Sequence, residues 1–139
     1  MILLDTCVVS EPLKARPEPK VLNWLDDQAA ESLYLSTVSI AELLAGVAAL
    51  PAGRRRSALS EGLSRVIDRL FANRILAFDQ AAAIQLPEIV TTARKSGFTI
   101  SFADAQIAAI AMAHDFAVAT RDTGPFHAAG VPVIDPWNE

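Results

Sequence analysis

Cysteine is all but missing. Cys7 is the single one, so an internal disulfide and a thiolate-rich zinc site are both excluded. Histidine is scarce too, with only His114 and His127, far from Cys7 in the chain; no His/Cys cluster points to zinc. Long apolar runs are absent. Hydrophobic residues make up 52% of the sequence, yet Asp, Glu, Gln or Arg breaks each run before it reaches membrane-spanning length. The opening Met1-Ile2-Leu3-Leu4-Asp5 lacks the basic start and long apolar region of a signal peptide, which makes the cytoplasm the expected compartment. Positive charge is not in excess: 16 acids face 12 Lys and Arg, net −4, against the basic balance of a plain nucleic-acid binder. Committing four acids to a metal site would leave 12 against 12, so a nucleic-acid partner stays allowed if a cation offsets a carboxylate cluster. Repeats, low-complexity tracts and linkers are missing as well.

What is present reads as one domain over residues 1–139, an α/β chain with a mainly parallel sheet. Met1–Asp5 has the pattern of a buried strand that ends in an acid. Thr6–Leu13 is helical and cut short by Pro12, and Val21–Gln28 is a second helix. Leu33–Ser36 is the next strand. A helix over Val38–Val47 carries the stripe Ile40, Leu43, Leu44, Val47, with Glu42 on another side. A long helix over Arg54–Phe71 places Leu59, Leu63, Val66, Ile67 and Leu70 at helical spacing. Arg74–Phe78 is a third strand. Asp79 caps the next helix, Pro87 either kinks that helix or starts another, and Gly97 closes it. Ser101 caps a helix to His114, Ala117–Thr120 is a fourth strand, and Val131–Trp137 is a last extended piece.

The helix after Ser101 organises the rest. Its core-facing positions Ile107, Ala108 and Ala111 share a face with Asp104, so this carboxylate is rooted on the apolar side, where an ionised acid needs compensation. Asp5 and Asp122 stand where strands stop, and Glu42 and Asp104 stand early in helices that open at the same sheet edge, where parallel sheets bind ligands. Four oxygen-bearing acids from distant parts of the chain suit Mg²⁺ or Mn²⁺. Each acid also has a bland alternative: Asp5 as a helix cap, Glu42 as a surface glutamate, Asp104 as part of a capping box, Asp122 as a turn residue. The run Arg54-Arg55-Arg56 opens a helix against its dipole, which leaves a phosphate backbone, an acidic partner or plain solvation as its explanation. His114 suits a helix C-terminus, and Trp24 and Trp137 read as packing residues.

Four segments taken together resemble a known family. Leu3-Leu4-Asp5-Thr6, Ser39-Ile40-Ala41-Glu42-Leu43, Asp104-Ala105-Gln106-Ile107-Ala108-Ala109 and Thr120-Arg121-Asp122-Thr123 are similar, in order, to the PIN domain, particularly its VapC and FitB-like toxins. The opening Asp-Thr-x-Val-Val-Ser-Glu and closing Val-Ile-Asp-Pro-Trp look like the FitB-type branch. The resemblance implies a three-layer α/β/α sandwich around a short, mainly parallel sheet. It also implies an Mg²⁺- or Mn²⁺-dependent endoribonuclease with Asp5, Glu42, Asp104 and Asp122 as metal-binding catalytic acids, supported by Thr6 and Thr120. It further implies a homodimer inhibited by a small antitoxin that carries the DNA-binding part. Arg54, Arg55 and Arg56 are candidate RNA or partner contacts. The family usually has Asn two residues after its first Asp, where Cys7 stands here.

Two rival functions compete with this one. One is a catalytically weak binding subunit that acts through its antitoxin-bound, DNA-associated complex. The other is a phospho-acceptor domain, which wants an acid next to Asp5 and a lysine at a later strand end; Lys14, Lys20 and Lys95 are misplaced for that role.

Overall fold

In the computed structural model, which covers residues 1–139, the strands are β1 (Ile2–Leu4), β2 (Leu33–Ser36), β3 (Ile75–Leu76), β4 (Ala117–Ala119) and β5 (Val133–Ile134). They pair side by side in the order β3-β2-β1-β4-β5, every pairing parallel. The helices are α1 (Thr6–Ser10), α2 (Pro19–Asp27), α3 (Thr37–Ala48), α4 (Arg54–Arg65), α5 (Gln80–Lys95), α6 (Phe102–His114) and α7 (Thr123–Ala128).

Alternation along three-residue strands gives the layers. Leu3 and Val118 pack with α5, α6 and α7 through Ile89, Ala93, Ile107, Ala108, Ile110 and Phe126. Their neighbours Leu4 and Ala119, with Leu35, pack on the opposite side with Val8, Val9, Val21, Leu43, Leu63 and Phe71. The sheet is therefore buried on both faces, as a parallel sheet must be, and the expected three-layer sandwich is observed. None of the helices is long and apolar enough to cross a membrane.

The element ends obey local chemistry. Ser36, Asp79 and Ser101 each accept a backbone N–H three residues on, from Ser39, Ala82 and Asp104 respectively, and so start α3, α5 and α6. Gly97 takes φ +83° after α5, the left-handed position that a helix terminator needs.

Three expectations need correction. α5 continues through Pro87 as one helix, so the proline starts no second one; it is exposed, and the helix tolerates one lost backbone bond. Leu44 is 47% exposed: α3 buries Ser39 and Leu43 instead, a narrower face than the apolar stripe. Leu70 is 60% exposed because α4 runs into a π-helical turn, Val66–Leu70, which adds a residue to the turn and rotates later side chains off the core face.

The sheet order reverses direction at β1, with β2 on one side and β4 on the other. The crevice at the carboxyl ends of β1 and β4 is the switch point where open parallel sheets bind ligands.

Candidate active site

Asp5 closes β1 and starts α1. Its backbone N–H donates to Ala119 O at 2.9 Å, extending the β1–β4 pairing by one bond. Its Oδ1 accepts from Thr6 N at 2.8 Å and its Oδ2 accepts from Thr120 Oγ1 at 2.8 Å. The side chain is both helix cap and buried acid, so the expected capping role is observed. Burial pushes its pKa up; the Thr120 and Thr6 bonds pull it down, the Glu42 charge adds to the rise, and the net shift is upward.

Glu42 comes from the second turn of α3. Its Oε1 accepts from the Thr6 hydroxyl at 2.8 Å, and that hydroxyl lies 3.2 Å from the buried Ser39 Oγ. Glu42 is exposed, on the wall of a groove. Asp104 stands in the first turn of α6, its backbone N–H bonded to Ser101 Oγ at 3.1 Å. Ile107, Ala108 and Ala111 are fully buried, which places the carboxylate where the helical spacing predicts. Burial raises its pKa first, then the charge of Asp5, with smaller increments from Asp122 and Glu42 against the pull of Ser101. Asp122 precedes α7 and is exposed. Its backbone N–H donates to Thr120 Oγ1 at 3.1 Å, but its carboxylate makes no capping bond to the helix.

The three other acids each push Asp104 upward, so all four share one electrostatic field. None of the four makes an ion pair: the chain's one ion pair joins Lys14 to Glu11, at 2.7 Å. The four are not a closed ligand cage, however. No three Asp, Glu, His or Cys side chains come near enough together to hold one ion directly. The expected set of four acids at one sheet edge is therefore open rather than closed, because Glu42 and Asp122 are exposed.

The PIN-domain family model matches residues 2–131. The chain belongs to the PIN-domain family. It is 52% identical over 137 residues to the plasmid stability protein StbB of Pseudomonas syringae pv. tomato, covering 99% of both chains. It is 48% identical to the VapC ribonuclease Y4jK of Sinorhizobium fredii, over 99% of this chain and 98% of the relative. It is also 48% identical to the toxin FitB of Neisseria gonorrhoeae, over the whole of both. Among solved structures, FitAcB from Neisseria gonorrhoeae matches all of both chains with a TM-score of 0.94 at 47% identity. FitAB bound to an IR36 DNA fragment matches 99% of this chain and 96% of its own, at 0.93 and 47%.

In this PIN domain the arginine run divides. Arg55 lines a groove of about 300 Å³ together with Thr6, Ser10, Lys14 and Glu42. Arg56 lines a different depression with Ser57, Ser60 and Glu61. Arg54 is exposed. A more apolar cavity of about 330 Å³, walled by Val9, Leu25, Leu33, Leu70 and Phe71, contains none of the four acids.

Sequence reasoning passed over three groups beside the site. Glu11 is 4% exposed. Its Oε1 accepts from Glu18 N at 2.9 Å, and Lys14 is the sole partner of Oε2. Burial raises its pKa, but Lys14, the Glu18 amide and the charge of Arg121 outweigh that, and the net shift is downward. Arg121 stacks over Trp137, 5.4 Å from the ring centre, and its backbone N–H reaches Cys7 Sγ at 3.5 Å. Ser39 supports Thr6. The signal for Ser39 was in plain view, as the first residue of the Glu42 segment.

Proposed function

We propose that this PIN domain, acting in the cytoplasm as one unit over residues 1–139, is the endoribonuclease toxin of a toxin–antitoxin pair. One observation carries the reading. A chain 48% identical, nearly end to end, to a VapC ribonuclease carries an acid, Asp104, whose pKa is pushed up by burial and by the charges of Asp5, Asp122 and Glu42. The full-length match to a toxin, and to that toxin's complexes FitAcB and FitAB, the latter on DNA, supports a small antitoxin partner that brings DNA contact. The toxin itself is read as a homodimer.

The donor set fits a hard divalent cation: carboxylate oxygens only, held in repulsion by burial and by one another. Mg²⁺ keeps several of its waters and asks for one or two direct carboxylates. An open set of acids meets that demand where a closed cage is not required. Asp5, which is buried, and Asp104, which is half-buried, both with raised pKa values, would hold Mg²⁺ or Mn²⁺ directly, with Glu42 and Asp122 acting through water. When bound, such an ion lowers the pKa of water and stabilises charge on a phosphoryl group.

The chain's own residues supply position. Thr120 fixes one Asp5 oxygen and Thr6 N–H the other, so the carboxylate cannot swing. Thr6 Oγ1 steers Glu42. Lys14 and Arg55 flank the groove that leads away from Glu42, where they can meet the phosphates on either side of the scissile one. The purified chain, stripped with EDTA, is expected to leave RNA intact and to cut it once Mg²⁺ or Mn²⁺ is returned. Equal cutting with and without metal, or no cutting by the antitoxin-free chain, sinks the reading.

A further inference from the structure

Two aromatic rings are exposed on segments next to those that carry Asp104 and Asp122. Of the six phenylalanines, Phe71 and Phe126 are buried and Phe78 and Phe116 pack against the core. Phe98 is 42% exposed and Phe102 67% exposed. They are the only aromatics among the exposed large hydrophobic side chains; the others, Met1, Leu44, Leu70 and Ile84, are aliphatic. Both rings belong to the short connection between α5 and α6 and its helix start. Phe102 is the first residue of α6, two positions before Asp104. The Phe98 ring lies along Gly124, two positions after Asp122. A Cβ at Gly124 would stand 3.2 Å from Cε1 and Cζ of that ring, so the glycine lets the ring lie flush with the loop that carries the acid.

The same connection is basic. Arg94 and Lys95 form the last turn of α5 and are exposed, and neither makes an ion pair. Lone exposed apolar residues are ordinary on a protein surface. Two bare aromatic rings, one on the helix that carries Asp104 and one against the segment after Asp122, with two free cations one turn away, are what a single-stranded nucleic acid meets on its binding proteins: charge for the backbone, ring faces for the bases.

We propose that Phe98 and Phe102 form a base-stacking platform for single-stranded RNA, with Arg94 and Lys95 holding the phosphates beside it. The proposal rests on the ribonuclease reading and names the side chains that hold the unpaired strand beside the acids. A two-residue step turns about 200° around a helix, so Phe102 leaves α6 outward while Asp104 turns inward. A strand with its scissile phosphate at the acids therefore lays a neighbouring base, not the cleaved link itself, over the helix start. A paired duplex cannot offer its base faces in this way.

The test compares the full chain with Phe98→Ala, Phe102→Ala, the double variant and Phe102→Trp. Cleavage of a short fluorescein-labelled oligoadenylate is measured in Mg²⁺, and its binding in EDTA by anisotropy; the same strand annealed to its complement is the control. Each alanine is expected to raise KM and Kd for the single strand about tenfold, the scale of one lost stacking contact. Most of kcat is retained, the duplex shows little change, and Phe102→Trp restores binding. Wild-type cleavage with unaltered KM in the double variant overturns the platform alone. So does a double variant that falls from dimer to monomer by light scattering, since the rings would then serve a second copy of the chain. A wild-type protein that neither binds nor cuts RNA overturns the platform together with the ribonuclease reading.

Discussion

The hydroxyl of Thr120 donates to Asp5 Oδ2 at 2.8 Å across 115 positions of chain, and the hydroxyl oxygen in turn accepts the Asp122 N–H at 3.1 Å. One fully buried threonine thus ties the acid after β1 to the acid after β4. Thr120→Val keeps the shape and removes both bonds. It leaves the Asp122 amide and an Asp5 oxygen short of partners, a loss of about 1–3 kcal/mol that denaturant unfolding will report. Metal affinity is expected to fall about 10–100-fold, the usual effect of losing a group that orients a ligand, as read by Mn²⁺ titration. Valine variants with unchanged affinity would mean that Asp5 needs no such support.

Asp104 sits on the buried face of α6 at a cost to the fold. With its charge opposed by burial, Asp5, Asp122 and Glu42, Asp104→Asn removes repulsion without changing size. Asparagine keeps its backbone N–H, so the bond to Ser101 survives. The metal-free variant is expected to melt a few degrees higher at neutral pH, the range in which about 1 kcal/mol appears for a chain of this length. RNA cleavage in Mg²⁺ should disappear. A variant that melts lower and still cuts would show that this acid is a structural one.

The pH profile of stability is set by the signs of three shifts. Asp5 and Asp104 have pKa values raised in the folded protein, so folding prefers their protonated forms. Their penalty is complete above the raised values. It is relieved as pH falls through them and is gone below the ordinary carboxylate value. Glu11 has a lowered pKa, so its contribution is present above the ordinary value and is lost as pH falls through the lowered one. The metal-free protein should therefore gain thermal stability on mild acidification and lose it at stronger acidity. Saturating Mg²⁺ should abolish the gain, because ligand binding rewards the ionised acids. Melting curves across pH with EDTA and with Mg²⁺ check both halves; a monotonic fall in EDTA contradicts the assigned repulsion.

Local chemistry was legible in the sequence where it acts over a few residues. Ser36, Asp79 and Ser101 announce their helices by capping, and Leu3 and Leu4 announce a strand buried on both sides. Asp104 was legible for the same reason, since helical spacing alone puts it with Ile107, Ala108 and Ala111. Glu11 was not, because its burial depends on the chain turning back so that the Glu18 amide reaches it. Leu70 departs from its expected place because a π turn changes the period on which the apolar stripe is counted. The openness of the set of acids was out of reach for a different reason. Order along the chain says which acids gather at a sheet edge, but not how far each side chain leans toward solvent.

Cys7 stands where the resemblance to the PIN family leads one to expect Asn, and its surroundings say what the change costs. Its sulfur lies 3.8 Å from both Asp5 Oδ2 and Thr120 Oγ1 and accepts from Arg121 N at 3.5 Å. These are long contacts to a weak donor and a weak acceptor. An amide in the same place offers a strong donor toward Asp5 and a strong acceptor toward the Arg121 N–H, and the site is only partly buried, so the larger side chain has room. A donor to Asp5 favours its ionised form, which is the form that binds a cation. Cys7→Asn is therefore expected to tighten Mn²⁺ binding several-fold, within the range that such supporting bonds reach, and to shift the acid limb of RNA cleavage to lower pH. Isothermal titration with Mn²⁺ and a pH–rate profile decide it. Weaker binding in the variant would mean that this PIN domain has adapted its site to the sulfur, and that Thr120 alone sets the state of Asp5.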